Sequence, residues 1–152
     1  MLANQNQIQK RISLVPKVLK KKYSKIKTIK QAVNSNSTCL SKIKKILGEK
    51  QQLNLIRIWI IELNEFANVK NPMLPDQINE VSEMISQDYY YFKLAEINLL
   101  FENIKRGRYG QFYESLNGLK IMSWFDEYDK ERMGLIDNEN YSKHLDSKNR
   151  YL

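Results

Sequence analysis

Apolar residues recur along this chain at helical rather than strand spacing, and polar or Gly/Pro punctuation divides them into short segments. Pro16 suits the first turn of a helix through Lys22, and Ile26 and Ile29 continue the spacing to about Val33, where Asn34-Ser35-Asn36-Ser37-Thr38 breaks it. Ser37 is placed to cap a helix carrying Leu40, Ile43, Ile46 and Leu47, with Gly48 as its stop. From Glu49 to about Asn68 the pattern thickens. Leu53, Ile56, Trp59, Ile60, Leu63 and Phe66 form one stripe, and Leu55, Ile58 and Ile61 widen it nearly all round, which predicts a central helix. Asn71-Pro72 ends that stretch. Pro75 and Asp76 open a helix with Ile78, Val81, Met84 and Ile85 on one face. Tyr89-Tyr90-Tyr91-Phe92 interrupts the spacing, as core or as interface, before a helix from Leu94 to Ile104 that ends in Lys105-Arg106 and Gly107. Ile121, Trp124, Phe125, Tyr128 and Leu135 define a last long helix, with Asp126 and Lys130 paired at i, i+4, and the polar tail from Asn138 is expected to fray.

Composition supports the same picture. Five Gly and three Pro in 152 residues are few for a many-stranded protein, so the expected fold is all-α: a compact helical bundle with a basic N-terminal helical arm. A chain of this length buries roughly two-thirds of its unfolded surface in a single core. The predicted organisation is an arm over residues 1–48, a helical core over 49–140 and a polar tail over 141–152. The longest apolar run, Leu53 to Leu63, contains Arg57 and falls short of the ~20 residues a membrane-spanning helix needs. Cys39 is the only cysteine, and MLANQNQIQKR lacks the apolar stretch of a secretory signal, so a soluble protein of the bacterial host cytoplasm is expected, without membrane contact.

Charge adds a direction. Residues 1–50 carry thirteen Lys or Arg against Glu49 alone, whereas residues 51–152 carry twelve against sixteen acids. Lys17, Lys20, Lys21, Lys22, Lys25, Lys27 and Lys30 fill half of the stretch they span, beside Tyr23. Each lysine set against a phosphate releases a condensed counterion, which predicts salt-sensitive, sequence-tolerant affinity for nucleic acid, DNA or RNA. The competing reading is a solvated lysine-rich surface. A second candidate is Lys105, Arg106, Gly107, Arg108, Tyr109, Gly110, Gln111, Phe112 and Tyr113, where cations, aromatics and glycines supply phosphate contacts and base stacking by Tyr109 and Tyr113. The alternative there is a turn whose aromatics plug the end of the core.

Catalytic chemistry is poorly supplied. His144 lies in the polar tail without metal-ligand spacing around it, Cys39 has no neighbouring histidine and reads as a small buried side chain, and no P-loop, nucleophile elbow or dinucleotide fingerprint is present. The acids of Asp126-Glu127-Tyr128-Asp129-Lys130-Glu131 point in different directions around a helix and read as a solvated face. The expectation is a non-enzyme with no metal and no cofactor.

The order Tyr91-Phe92-Lys93-Leu94-Ala95-Glu96-Ile97, Gly107-Arg108-Tyr109-Gly110-Gln111-Phe112-Tyr113, Asn117-Gly118, Ile121, Trp124, Tyr128, Glu131 and Arg132 resembles a family of small helical proteins carried by phages and mobile elements. The resemblance covers about residues 55 to 132 and leaves the basic arm outside. It implies a mobile-element origin and an accessory role in replication, of primosome or helicase-loader type, with no catalytic residue to transfer. Two rival functions remain at this point: an anti-CRISPR (anti-defence) protein that binds a guide RNA or an RNA-guided nuclease, and an internal virion protein. The expected partner is accordingly nucleic acid, a nucleoprotein enzyme, or both.

Overall fold

The helix Leu94–Lys105 has ten of its twelve residues buried, and the rest of the chain packs around it. This computed structural model describes residues 15–111 and 114–150. Seven α-helices and no strand occur among the described residues: α1 (Pro16–Lys22), α2 (Ile29–Val33), α3 (Leu40–Leu47), α4 (Glu49–Ala67), α5 (Pro75–Asp88), α6 (Leu94–Lys105) and α7 (Gly118–Arg150). The fold is an all-α bundle in which α6 touches α1, α2, α4 and α7, while α4 packs on α3 and α5.

The centre therefore differs from the one that hydrophobic periodicity predicts. Helix α4 buries Leu55, Ile56, Trp59, Ile60 and Leu63, but Ile58, Ile61 and Phe66 face solvent. Its apolar surface is wider than the neighbours available to cover it. Both helices have partners on several sides, but α6 is the shorter and has every residue except Glu102 and Lys105 buried.

An aromatic chain ties the layers together. Trp59 of α4 stacks on Phe101 of α6, Phe101 meets Phe125 of α7 edge-on, and Phe125 stacks with Phe92 and touches Tyr89. Tyr89 and Phe92 are thus core, whereas Tyr90 is exposed.

The basic segment does not stand off from this core. Leu19, Tyr23, Ala32, Leu40 and Ile43 are buried in the same cluster as Trp59 and Phe125. The polar break after α2 is fastened to the turn before α6: Leu40 N donates to Phe92 O (3.0 Å), Ser41 N to Tyr90 O (2.9 Å) and Leu94 N to Thr38 O (2.9 Å). Those contacts supply acceptors for amides at the start of α3, so its N-cap is Cys39 and not Ser37. The Ser37 hydroxyl accepts from Ala95 N instead. Lys93 reaches across to the end of α2, its Nζ donating to Val33 O (2.6 Å) and Ser35 O (2.8 Å), as a cation at a helix C-terminus should. A break at Tyr23–Thr28 separates α1 from α2, whose start is a Thr28/Gln31 capping box.

The polar tail is also more regular than its composition suggests. Helix α7 runs on to Arg150, yet its buried residues are Ile121, Trp124, Phe125 and Tyr128 in the first third, so the distal part is a solvated helix.

Candidate nucleic-acid interface

Two sequence segments proposed to meet phosphate, the lysine run and the stretch from Lys105, come together on the surface formed by α1, the α1–α2 turn and the end of α6. Pro16 starts α1 and Leu19 and Tyr23 fasten one side of it into the core, which leaves Lys17, Lys21 and Lys22 on the solvent side. Lys25 and Lys27 follow, exposed, in the turn, and Lys30 is an exposed residue of α2. Among the described residues no acid lies within ion-pair distance of Lys17, Lys21, Lys22, Lys25 or Lys27, while Lys30 is 3.6 Å from Glu139.

Lys20 and Lys105 have a different use. Lys20 Nζ is 2.9 Å from Glu62 Oε1 and 3.5 Å from Glu102 Oε1, and Lys105 Nζ shares the same Glu62 oxygen. The hydrogen bond to Glu62 pushes the Lys20 ammonium up to about 12 despite partial burial. Burial pulls the Glu62 carboxyl upward, but Lys105 and Lys20 outweigh it and hold the group below its ordinary value. These two lysines join α1 to α4 and α6, so they are positioned first as internal ties and only secondarily as phosphate ligands. Arg106 is exposed and 3.7 Å from Glu102; Arg108 is exposed.

The described aromatic members, Tyr23 and Tyr109, pack against the core. Tyr23 is only 8% exposed and belongs to the core cluster, with Lys22 Nζ 5.6 Å from its ring centre, so its face is unavailable to a base. Burial, with the Ser37 hydroxyl opposing, raises its phenol. Tyr109 is half-buried against the core and its carbonyl accepts from Trp124 Nε1 (3.2 Å). Burial, then the charge of Glu131, pushes the Tyr109 phenol up to about 12. Tyr109 packs as the plug reading expects; Phe112 and Tyr113 lie outside the described residues. Accordingly, Tyr109→Ala should lower stability by about 1–3 kcal/mol while leaving strand affinity unchanged, to be read from a denaturant melt and a binding titration on one preparation. A weaker strand affinity with an unaltered melt would restore the stacking role.

Sequence reasoning missed a buried acid with its arginine partner and the buried amides of α6. Glu96 is 0% exposed and accepts from Lys93 N (2.9 Å), Tyr128 OH (3.2 Å) and Arg132 Nε (2.7 Å). Arg132 lies over the rings of Tyr91 and Phe92, and Tyr91 OH donates to Asp129 Oδ2 (2.7 Å). Asp129 therefore does not belong to a merely solvated acidic face, whereas the Asp126–Lys130 pair (3.0 Å) is exposed as expected. Asn98 and Asn103 of α6 are also buried. Cys39 is half-buried at the N-cap of α3, and His144 is exposed; no cluster of His, Cys, Asp or Glu that could hold a metal ion occurs among the described residues. None of the described helices is long and apolar enough to cross a membrane.

These features define an all-α protein with one basic, core-anchored edge. The chain belongs to a family of unknown function, DUF6633, whose profile matches residues 72–147. The matched region contains α5, α6 and the whole Glu96–Arg132 network, and it excludes the lysines of α1 and α2. No curated protein and no solved structure matches the chain.

Proposed function

We propose that this protein is a non-enzymatic nucleic-acid-binding accessory of a phage or mobile element, acting in replication. The observation that carries the binding role is the division of labour within α1 and its following turn. Leu19 and Tyr23 are fixed in the core, and Lys17, Lys21, Lys22, Lys25 and Lys27 project to solvent without an acidic partner among the described residues. A lysine surface held on a rigid edge meets a polyanion at a smaller entropic cost than a floppy tail does, because its backbone is already ordered. The mobile-element and replication roles follow from the resemblance carried by Tyr91 to Ile97 and by Tyr128 to Arg132.

Changing Lys17, Lys21, Lys22 and Lys25 together to Gln tests the binding role without disturbing Lys20. Removing four phosphate contacts should reduce the slope of log affinity against log salt by roughly 3, since each contact contributes roughly 0.7 on single strands and 0.9 on duplex DNA. Fluorescence anisotropy with single-stranded DNA, duplex DNA and RNA over a salt series measures this directly. A wild-type slope in the folded variant rules the surface out.

A further inference from the structure

Between the α1–α2 turn and α6 lies a cleft of about 150 Å³ lined by Lys20, Tyr23, Lys27, Asn98, Glu102 and Arg106. That volume is below the roughly 300–1,000 Å³ of sites that enclose a whole small-molecule ligand. Its chemistry is specific all the same. Three cations border it, from α1, the turn and the C-cap of α6. The one carboxylate, Glu102, is already met by Lys20 at 3.5 Å, Arg106 at 3.7 Å and Lys105 at 3.8 Å, so the cleft retains positive charge. Asn98 is only 6% exposed, and no described residue hydrogen-bonds its side-chain amide. The amide is not sealed off, so its donors open onto the cleft, where a ligand can accept from them.

We propose that this cleft seats a single phosphodiester phosphate of a bound nucleic-acid strand, with the Asn98 amide donating to a phosphate oxygen and Lys27 and Arg106 closing over it; the assignment rests on the nucleic-acid reading above. Lys27 belongs both to the cleft and to the exposed lysine row, so a strand lying along Lys21, Lys22 and Lys25 is carried to the opening. The arrangement turns a diffuse electrostatic surface into one with a fixed point of register: the outer lysines attract any phosphate, and the cleft holds one of them in place.

The test uses the full chain and a short oligothymidine strand. In nitrogen-15 NMR spectra the Asn98 side-chain amide signals, identified by their loss in Asn98→Ala, should shift as the strand is added. The double variant Lys27→Gln, Arg106→Gln alters two exposed side chains; it should bind the strand about tenfold more weakly and lower the salt slope by roughly 1.4. Stationary Asn98 signals during strand binding, or a wild-type slope in the double variant, overturn the proposal. A second arm titrates orthophosphate alone: movement of Asn98 with orthophosphate but not with the strand would make this a free-anion site and overturn the backbone assignment. Failure of the cleft is distinct from failure of the binding role. If the Lys17, Lys21, Lys22 and Lys25 variant loses its salt slope while the cleft variants behave as wild type, the surface binds nucleic acid and the cleft does not take part.

Discussion

Arg132→Met will destabilise the protein by about 3–5 kcal/mol, because it strands the Glu96 carboxylate at 0% exposure without its cation. Lys93 N and Tyr128 OH would still donate to Glu96, but two hydrogen bonds do not replace a charge lost in a region of low polarity. Burial, reinforced by the neighbouring Glu96 charge, raises the Tyr128 hydroxyl well above its ordinary value, so Tyr128 stays a proton donor and supplies no countercharge. Arg132 also covers the Tyr91 and Phe92 rings, and Met retains part of that contact, which makes the substitution a probe of charge more than of volume. The decisive comparison is the double variant Glu96→Gln, Arg132→Met. It removes both charges and keeps an acceptor for Lys93 N, so it should be more stable than Arg132→Met alone. Urea midpoints on the two variants read the difference. If Arg132→Met unfolds with the wild-type midpoint, Glu96 is not an uncompensated charge and the network contributes little.

Trp59→Ala should cost a similar ~3–5 kcal/mol and lower the melting temperature on the order of 10 °C. Trp59 is buried, and its ring lies 6.1 Å from that of Phe101 with 5° between their planes. The lost side chain would leave a cavity between α4 and α6, in line with Phe101, Phe125 and Phe92. Those rings come from separate helices and the turn at 89–92, so little of the space can close without moving a whole element. Calorimetry of the wild type and variant tests this. Coincident melts would place Trp59 outside the cooperative core.

The effect sizes also separate two kinds of evidence about function. Losses at Arg132 or Trp59 act through the fold and would depress any activity indirectly. The lysine row and the Lys27/Arg106 cleft can be altered with the core left in place, so binding changes there report on the interface itself.

Local pattern was enough to mark most helices. Pro16 at the start of α1, Gly48 with φ +91° at the end of α3, Pro75 at the start of α5 and the basic end of α6 are all signals carried by a few adjacent residues. The all-α class and the charge asymmetry follow in the same way from residue type and spacing alone. What periodicity could not supply was which apolar helix is enclosed. Both α4 and α6 have partners on several sides, but α4 leaves Ile58, Ile61 and Phe66 exposed while α6 is almost wholly enclosed, because coverage depends on where other helices lie. The start of α3 was misplaced for a related reason: the acceptors near its first amides are carbonyls of Tyr90 and Phe92, about fifty residues away. Aromatic and charged residues in the candidate site were equally ambiguous in one dimension. Tyr109 belongs to a stretch with the composition of a stacking platform and packs against the core, Tyr23 beside the lysines is buried, and Lys20 and Lys105 pair with Glu62. Glu96, Arg132 and Asn98 gave no local signal, since a polar residue on an apolar helix acquires meaning only from what the fold sets beside it. Helix positions, the all-α class and the basic end follow from residue type and spacing; which lysines lack an acidic partner among the described residues depends on the fold, because pairing and burial are properties of neighbours brought together across the chain.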